Sequence, residues 1–473
     1  MARNDFESIK KAIDELGIEF VDLKVVDLVG RLRHLTLPAT RFTRELLEKG
    51  VGFDASNYGY RTVEQSDMLL VPDLSTARVE DFSGERLLSL FCDIQQVKSG
   101  ERVAFPLDPR QTARRAEEYL RESGVADRCY LSPEFEFYIF DQVDYAYDRN
   151  RVYFQVESLE APWESSRGGF YLGPKGGYHA SPPADRLMEL RGAIVSYLER
   201  AGIPVKYHHH EIGGAGEVEI EVGFEGLLRA ADNTLFIKYA VRNITHQHGK
   251  SATFMPKPLP GYPGNGMHLH QYLVKGGKNI FYDPNGYGGM SELGLYYIGG
   301  LLAHGASLMA FTNPSTNSYR RLTPGFEAPV AFTFGLANRS AAIRIPSYIT
   351  DPETQRLELR TIDATCNPYL AFSAVLMAGL DGIEQGIDPR RLGYGPCEEN
   401  LYQLPPKERS KIRFAPSSLS EALKALEQDH EYLLRGGVFT EEQLDAWLKA
   451  KQEEVAEFYD KPHPYEYVLY YDL

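Results

Sequence analysis

Glutamate residues alternate with apolar residues in the segment Pro133-Glu134-Phe135-Glu136-Phe137-Tyr138. In an extended strand successive side chains point to opposite faces, so Phe135 and Phe137 enter a core while Glu134 and Glu136 share the other face. Two adjacent carboxylates repel each other and are therefore either exposed to solvent or neutralised by cations, usually hard divalent ions. For this segment alone, a half-exposed strand with its glutamates in water is the simpler interpretation.

Three other segments repeat the alternation with further polar side chains. They are Gly216-Glu217-Val218-Glu219-Ile220-Glu221-Val222, which follows His208-His209-His210-Glu211, then Gly266-Met267-His268-Leu269-His270, and Arg356-Leu357-Glu358-Leu359-Arg360. If these strands belong to one curved sheet, they line a cavity with carboxylates, imidazoles and guanidiniums. Clustered glutamate and histidine favour a metal-lined cavity, and a mainly carboxylate ligand set favours Mg²⁺ or Mn²⁺ over zinc.

Arginine residues are concentrated between positions 320 and 360. They are Arg320, Arg321, Arg339, Arg344, Arg356 and Arg360. Guanidinium groups match the geometry of carboxylates and phosphates, so the sequence predicts an anionic substrate beside the metals. The segment from Asn313 to Pro329 is bracketed by prolines and is predicted to be a mobile loop with Glu327 near its tip.

The composition excludes several classes of function. The chain has 473 residues and a net charge of -15 without a long basic run, so nucleic acid is not an expected partner. The four cysteines are far apart and form no CxxC motif, which favours reduced thiols in a cytoplasmic protein. The N-terminus is polar and no segment is apolar over a membrane-spanning length, so no membrane association is expected.

Periodicity and proline positions divide the chain near residue 105. We predict a small, sheet-rich domain over residues 1–105 and an α+β catalytic domain with a largely antiparallel sheet over 106–473. The helices predicted from apolar spacing cover 7–16, 110–121, 184–202, 225–248, 291–311, 419–434 and 441–458. The aromatic C-terminal stretch from Tyr465 to Tyr471 is predicted to be buried, for example against another subunit.

Taken together, these motifs resemble the bacterial-type (type I) glutamine synthetase family over almost the whole chain. The segments that match it are Pro133–Glu136, His209–Glu211 with Glu219, Lys250–Pro258, Gly266–His270, Asn317–Leu322, Pro324–Pro329, Asn338–Ser340 and Asn367–Leu370. The resemblance implies a β-grasp N-terminal domain before the catalytic domain. It also implies a homo-dodecamer of two stacked hexamers with active sites between neighbouring subunits.

The resemblance implies an ATP-dependent ligase that forms L-glutamine from L-glutamate and ammonium through γ-glutamyl phosphate. Carried over by position, one Mg²⁺ or Mn²⁺ ion is held by Glu136, Glu211 and Glu219, and a second by Glu134, His268 and Glu358. Further roles follow in the same way: glutamate binding by Gly264, Arg321 and Arg360, phosphate contacts by Arg339 and Arg344, nucleotide contacts by Phe224, His270 and Arg356, ammonium binding by Asp54 and Asp67, and flap closure by Glu327.

The sequence departs from the usual family pattern around the substrates more than around the metals. The loops Asp54-Ala55-Ser56-Asn57 and Pro263-Gly264-Asn265-Gly266 differ from the usual family sequences, and Lys206 stands where many members have Glu. Two alternatives therefore stay open: a γ-glutamyl-amine or polyamine ligase, and a non-catalytic structural or regulatory member of the family. Tyr402 matches a tyrosine that some members adenylylate, and an unmodified surface tyrosine is an equal alternative.

Overall fold

The computed structural model describes residues 5–60, 66–82, 84, 86–163, 169–323, 329–399 and 412–473. The chain forms two large sheets that follow one another in sequence, and most of the helices pack around the second. A third, two-stranded sheet projects from the C-terminal end of the longest strand.

The first sheet occupies residues 20–104, and its strand order is β2-β1-β6-β4-β3 with β5 and β7 also paired to β6. The strands β1 and β6 are parallel and the other pairs are antiparallel. Its strands are β1 (Phe20–Val26), β2 (Leu32–Pro38), β3 (Val51–Asp54), β4 (Asp67–Pro72), β5 (Arg78–Glu80), β6 (Leu87–Lys98) and β7 (Glu101–Ala104).

The second sheet contains ten strands, and the seven of its main path run in the order β11-β12-β8-β15-β19-β18-β17. Only the β17–β18 pair is parallel among its described pairs, so the predicted antiparallel character is confirmed. The strands of this part of the chain, including the separate hairpin β9–β10, are β8 (Arg128–Phe140), β9 (Gln142–Tyr147), β10 (Val152–Glu157), β11 (Val205–His210), β12 (Glu217–Val222), β13 (Glu225–Gly226), β14 (Ser251–Thr253), β15 (Leu269–Lys275), β16 (Lys278–Asn279), β17 (Ala331–Leu336), β18 (Ala341–Ile345) and β19 (Leu357–Leu359).

Thirteen α-helices lie in the described part of the chain. They are α1 (Phe6–Leu16), α2 (Arg44–Lys49), α3 (Pro109–Glu122), α4 (Met188–Arg200), α5 (Leu227–Gln247), α6 (Glu292–Ala303), α7 (Gly305–Thr312), α8 (Ser318–Arg321), α9 (Pro368–Gln385), α10 (Leu419–Gln428), α11 (Glu431–Leu434), α12 (Glu441–Tyr459) and α13 (Pro464–Tyr470). The helix α9 is the centre of the helical layer, because all its residues from Pro368 to Gly382 are buried. Asn367 caps its first turn and Gly386, in the left-handed conformation, ends it.

The helices α6 and α9 pack backbone against backbone at two glycines. A Cβ atom on Gly300 would overlap the carbonyl oxygen of Ala378 and come within 2.8 Å of the Gly382 backbone. The two glycines therefore allow backbone-to-backbone packing that larger residues would prevent. This contact joins two helices at the centre of the helical layer.

The sequence predicted single helices where the structure has two. The region 291–311 forms α6 and α7, which meet at His304 with a bend of 76°, and the region 419–434 forms α10 and α11. The helices on both sides of each break have buried residues. The apolar spacing of the sequence therefore continues across the breaks. No single helix among the described residues is long and apolar enough to span a bilayer, although the bent pair α6–α7 passes the same length and composition test jointly.

The C-terminal stretch, predicted to be buried, for example against another subunit, is exposed in the single chain, and its burial against a subunit stays a prediction. It forms the short helix α13, and Tyr467, Val468 and Tyr471 are 64%, 72% and 81% exposed. The stretch contacts little of its own chain, so any burial requires a second molecule.

The bend between α6 and α7 contains a histidine that holds two carboxylates. His304 Nε2 lies 2.9 Å from Asp381 Oδ2 and Nδ1 lies 2.9 Å from Asp429 Oδ1, while its ring stacks on Tyr432. Burial acts to lower the pKa of His304, but the hydrogen bonds to the two aspartates outweigh it and raise the pKa to about 9. The protonated ring therefore connects α7 to α9 and α10.

We expect this network to stabilise the fold most below pH 6.5 and to lose its effect as pH rises towards 9. The folded-state pKa exceeds the unfolded value of 6.5, and each unit corresponds to about 1.4 kcal/mol, which gives an upper limit on the order of 3 kcal/mol. Urea unfolding of the wild type and of His304→Gln from pH 6 to 9.5 tests this. The stability difference between them should shrink with pH, and a constant difference would contradict the assignment.

Candidate active site

The four polar strand segments lie side by side in the second sheet. Strand pairing aligns their side chains in rows across β11, β12 and β8. One row contains His209, Glu219 and Glu136, and the next contains Tyr207, Glu221 and Glu134. Phe135 and Phe137, on the opposite face of β8, are fully buried, as the alternation predicts. The rows form one wall of a cavity of about 710 Å³.

Three residues from three strand segments of the sheet converge on a first candidate metal position. Glu134, His268 and Glu358 each place a ligand atom within 4.8 Å of the others. His268 Nδ1 lies 3.0 Å from Glu134 Oε2 and 3.7 Å from Glu358 Oε1. These are the three residues that the family resemblance assigned to one metal.

A second candidate position differs in one member from the set carried over by resemblance. His209, Glu211 and Glu219 lie within 4.8 Å of one another, with His209 Nε2 3.3 Å from Glu219 Oε1. Glu136 is not in this group, since its carboxylate accepts the Gly266 N–H and lies 3.6 Å from His268 Nδ1. Glu136 therefore stands between the two positions.

The electrostatics of the cavity wall favour bound cations. Burial, together with the charge of Glu136, raises the pKa of Glu217 to about 8, and burial raises the pKa of Glu219 to about 6. The Oε1 atom of Glu217 is buried and has no hydrogen-bond partner among the described residues. Carboxylates crowded in this way match the oxygen-rich donor sets that hold Mg²⁺ or Mn²⁺.

In a third group, the ligand atoms of Glu134, Glu221 and His270 also lie within 4.8 Å of one another, but Glu221 already has a cationic partner. The ammonium of Lys206 forms an ion pair with Glu221 and donates to Ser132 Oγ at 3.1 Å. The lysine charge therefore compensates Glu221 without a third metal ion. We therefore restrict the candidate metal positions to the first two groups.

Glu358 is the meeting point of the carboxylates and the arginines. It is fully buried, forms an ion pair with Arg344 at 2.5 Å and another with Arg360. Burial acts to raise its pKa, but the charge of Arg360 outweighs this and lowers it to about 2. Arg339 lines the same cavity. The wall thus offers positive charge next to the first metal position.

Arg321 and Gly264 form another corner of the cavity, next to His268 of the first metal position. Arg321 is 5% exposed and donates to the carbonyl oxygens of Thr361 at 3.0 Å and Arg360 at 3.2 Å, and Nη2 lies 3.3 Å from His268 Nε2. A Cβ atom on Gly264 would overlap the Pro256 carbonyl oxygen and approach the Arg321 side chain at 3.1 Å. This corner therefore admits only a glycine backbone beside a buried guanidinium.

The residues assigned to the nucleotide form a group of aromatic and basic side chains beyond Glu134. Phe224 packs edge-on against Tyr272, and the Arg356 guanidinium lies 5.5 Å from the Phe224 ring. His270 is fully buried and its Nε2 lies 2.6 Å from Glu134 Oε1. Lys206 also lies over the Phe224 ring, at 4.7 Å. Rings and cations in this arrangement suit a base and its phosphates.

Asp54 and Asp67 are neighbours in the first sheet and do not line this cavity. They face each other across β3 and β4, both are exposed, and neither lines the cavity of its own chain. A hydrogen bond from the Ser56 backbone N–H lowers the pKa of Asp54 and keeps it ionised. Glu327 and Tyr402 lie outside the described residues.

The sequence analysis did not identify His209 as a metal ligand or Lys206 as the partner of Glu221. Strand alternation does place Tyr207 and His209 on one face of β11. The missing information was the register, because only the pairing of His209 with Glu219 shows that the imidazole faces the carboxylates.

A β-grasp-like first sheet and a second sheet walled with carboxylates and arginines define a two-domain α+β protein with the features of a metal-assisted enzyme. Comparison with known proteins makes the class specific. The family described as "Glutamine synthetase, beta-Grasp domain" matches residues 17–97, and "Glutamine synthetase, catalytic domain" matches residues 106–470. The chain belongs to the glutamine synthetase family.

Relatives of this chain match it from end to end. The glutamine synthetase of Aquifex aeolicus is 45% identical over 470 residues, covering 99% of both chains. A protein of Cupriavidus pinatubonensis named 3-hydroxylaminophenol mutase is 44% identical, covering 98% of both chains. The cryo-EM structure of Plasmodium falciparum glutamine synthetase superposes with a TM-score of 0.88 at 28% identity, covering 98% of both chains.

Proposed function

We propose that this protein is an ATP-dependent ligase that forms L-glutamine from L-glutamate and ammonium through γ-glutamyl phosphate. The observation that supports it most directly is the convergence of Glu134, His268 and Glu358 next to Arg344 and Arg360. The γ-carboxylate of glutamate is a poor electrophile until it is phosphorylated, and phosphoryl transfer needs positive charge around the phosphates. The cavity wall supplies that charge in fixed positions.

We propose Mg²⁺ or Mn²⁺ as the resident metals, one held by Glu134, His268 and Glu358 and the other by Glu211, Glu219 and Glu136 or His209. When bound, these ions would neutralise the ATP phosphates and the glutamate carboxylate. On the protein side, we assign glutamate binding to Arg321, Arg360 and Gly264, phosphate contacts to Arg339 and Arg344, and nucleotide contacts to Phe224, His270 and Arg356.

Two roles in the proposed reaction belong to residues outside this cavity. Ammonium is not a nucleophile until it loses a proton, and we assign its binding to Asp54 and Asp67 of a neighbouring subunit. γ-Glutamyl phosphate would be hydrolysed by entering water, and we assign closure over it to Glu327.

The same proposal includes the assembly and the domain division. We propose a homo-dodecamer with active sites between subunits, supported by the exposed, outward-facing Asp54 and Asp67 and by the exposed aromatic helix α13. We divide the chain into domains 1–105 and 106–473, since the first sheet ends at Ala104 and α3 begins at Pro109. A cytoplasmic location is part of the proposal.

A substrate panel tests the reaction. Phosphate release from ATP is expected only when glutamate, ammonium and a divalent metal are all present. Glutamate accepts the γ-phosphoryl group, deprotonated ammonium displaces phosphate from γ-glutamyl phosphate, and the metal would neutralise the phosphate charge. Putrescine, ethanolamine and methylamine replace ammonium in parallel reactions, and mass spectrometry identifies the amide formed.

Each outcome of the panel selects one interpretation. Equal or faster turnover with a larger amine would replace the ammonium assignment by a γ-glutamyl-amine ligase. Absence of turnover with every amine would support a non-catalytic family member.

A further inference from the structure

A second large cavity lies where the first sheet meets the catalytic domain, away from the carboxylate wall. Its volume is about 600 Å³, and we call it the junction cavity. The β1–β2 hairpin, helix α5 and the segments 253–255 and 364–365 surround it, with α12 at one end. It shares no lining residue with the candidate active site among the described residues.

The lining of the junction cavity is strongly basic. It contains Lys24, Arg31, Arg33, His34, Lys238, Arg242 and Lys451, and Glu454 is the only acidic residue among the described residues that line it. Four of these basic groups have carboxylate partners: Lys24 with Asp22 and Glu80, Arg33 with Asp27, His34 with Asp22, and Lys451 with Glu454. The remaining three, Arg31, Lys238 and Arg242, have no carboxylate within 4.0 Å among the described residues.

Of the three, Lys238 gives the clearest indication of an anionic ligand. It is 8% exposed, and the hydrogen bond from its Nζ reaches the carbonyl oxygen of Ala364 at 2.5 Å. An ammonium group has three donors, and a buried charge without a counter-ion is costly. In agreement, burial lowers the pKa of Lys238 to about 8. A ligand with negative charge in the cavity would compensate this group.

The arginines and the remaining wall restrict what such a ligand can be. Arg31 and Arg242 line the same cavity and are exposed, whereas Lys238 is buried, so the cavity presents two guanidiniums on its solvent side and one ammonium inside. Guanidinium forks match phosphate and carboxylate oxygens, whereas Lys acts as a point charge. Asn243, Thr253 and Thr365 add neutral hydrogen-bonding groups, and Leu235 and Phe254 add apolar area.

We propose that the junction cavity is a binding site for a small dianion, with phosphate or dicarboxylate chemistry, held by Lys238 inside it and by Arg31 and Arg242 on its solvent side. The site is separate from the substrate cavity and does not depend on the proposed reaction. The dianion would connect the β1–β2 hairpin to α5, and it would therefore stabilise the contact between the two domains.

Isothermal titration calorimetry with two probes tests the site. The protein is first saturated with Mg²⁺, L-glutamate and a non-hydrolysable ATP analogue, so that the substrate cavity is filled. Sodium sulfate then represents a phosphate group and sodium succinate a dicarboxylate, both in about 0.15 M chloride to screen weak surface attraction. We expect one dianion per chain, and the tighter of the two probes identifies the ligand chemistry.

Three variants locate the binding. Lys238→Met and Arg242→Gln are each expected to weaken the dianion at least about tenfold, the effect of losing a charge-assisted hydrogen bond. Lys238→Met retains the volume and apolar stem of the lysine, so it should fold, and Arg242→Gln changes an exposed residue. Arg229→Gln is the control, because Arg229 lies on the same helix but does not line the cavity. It should bind as the wild type does.

Two results would overturn the proposal. One is the absence of a saturable heat with either dianion. The other is binding that Lys238→Met and Arg242→Gln leave as tight as in the wild type, because the dianion would then lie elsewhere.

Discussion

Replacing Glu358 by Gln is expected to reduce turnover by at least about 10²- to 10³-fold, the scale on which preorganised charges act in catalysis. Gln keeps the shape of the side chain but removes its charge. That charge completes the group with Glu134 and His268 and holds Arg344 and Arg360 in position. This one substitution removes a candidate metal ligand and displaces two arginines. Its effect on turnover should therefore exceed the effect of replacing any single arginine.

A measurement of Mn²⁺ binding distinguishes the loss of a metal ligand in Glu358→Gln from a general loss of structure. Breaking a buried ion pair costs about 3–5 kcal/mol, so Glu358→Gln should also unfold more readily. Mn²⁺ affinity, followed by electron paramagnetic resonance at a temperature where the variant is folded, should fall at one of two sites. Glu225→Gln, a half-buried change in the same sheet, should leave affinity and turnover unchanged. Wild-type Mn²⁺ affinity in Glu358→Gln would exclude Glu358 from the metal position.

The sequence was sufficient for the strands that bear the site. Glu134 and Glu136 on one side and Phe135 and Phe137 on the other can be assigned from alternation alone, since a strand has a period of two. The same property explains why the glutamates of β12 share a face. These features depend only on neighbouring residues, so the sequence pattern is enough to predict them.

The arrangement of those strands was not accessible from any local pattern. Neighbours in the sheet such as β8 and β15 are separated by more than one hundred residues, and their order follows long-range pairing. His209 became a candidate ligand only through its register with Glu219. Family resemblance supplied the grouping of Glu134, His268 and Glu358, which periodicity could not.

The break at His304 was missed for a related reason. Residues on both sides of it are buried, so the apolar spacing of α6 continues into α7 without a local signal. What fixes the bend is the contact of His304 with Asp381 and Asp429, which lie 77 and 125 residues further along the chain. A histidine inside an apolar helix is an indication of such a partner, but the sequence does not identify which carboxylate it meets.

Gly264→Ala is expected to raise the KM for glutamate by about tenfold or more, to weaken Mn²⁺ less than glutamate, and to leave nucleotide affinity within about twofold of wild type. The added Cβ would overlap the Pro256 carbonyl oxygen, so the loop must shift. It cannot relax freely, because Asn265 donates from its backbone to Pro256 and from its side chain to Met255. Overpacking of this kind costs about 1–3 kcal/mol, which corresponds to roughly 5- to 150-fold in affinity.

Gly264 itself lies against Arg321, so the glutamate side of the cavity is affected directly. The metal ligands are affected only indirectly, through the backbone bonds of Gly266 and His268 to Glu136 and Glu134 of β8. Gly192→Ala is the matched control, since a Cβ there meets nothing within 4 Å and lies inside α4, where Ala stabilises a helix by up to about 1 kcal/mol. If Gly264→Ala weakened Mn²⁺ as much as glutamate, the loop would belong to the metal position, and the division of the cavity into a metal wall and a glutamate corner would be wrong.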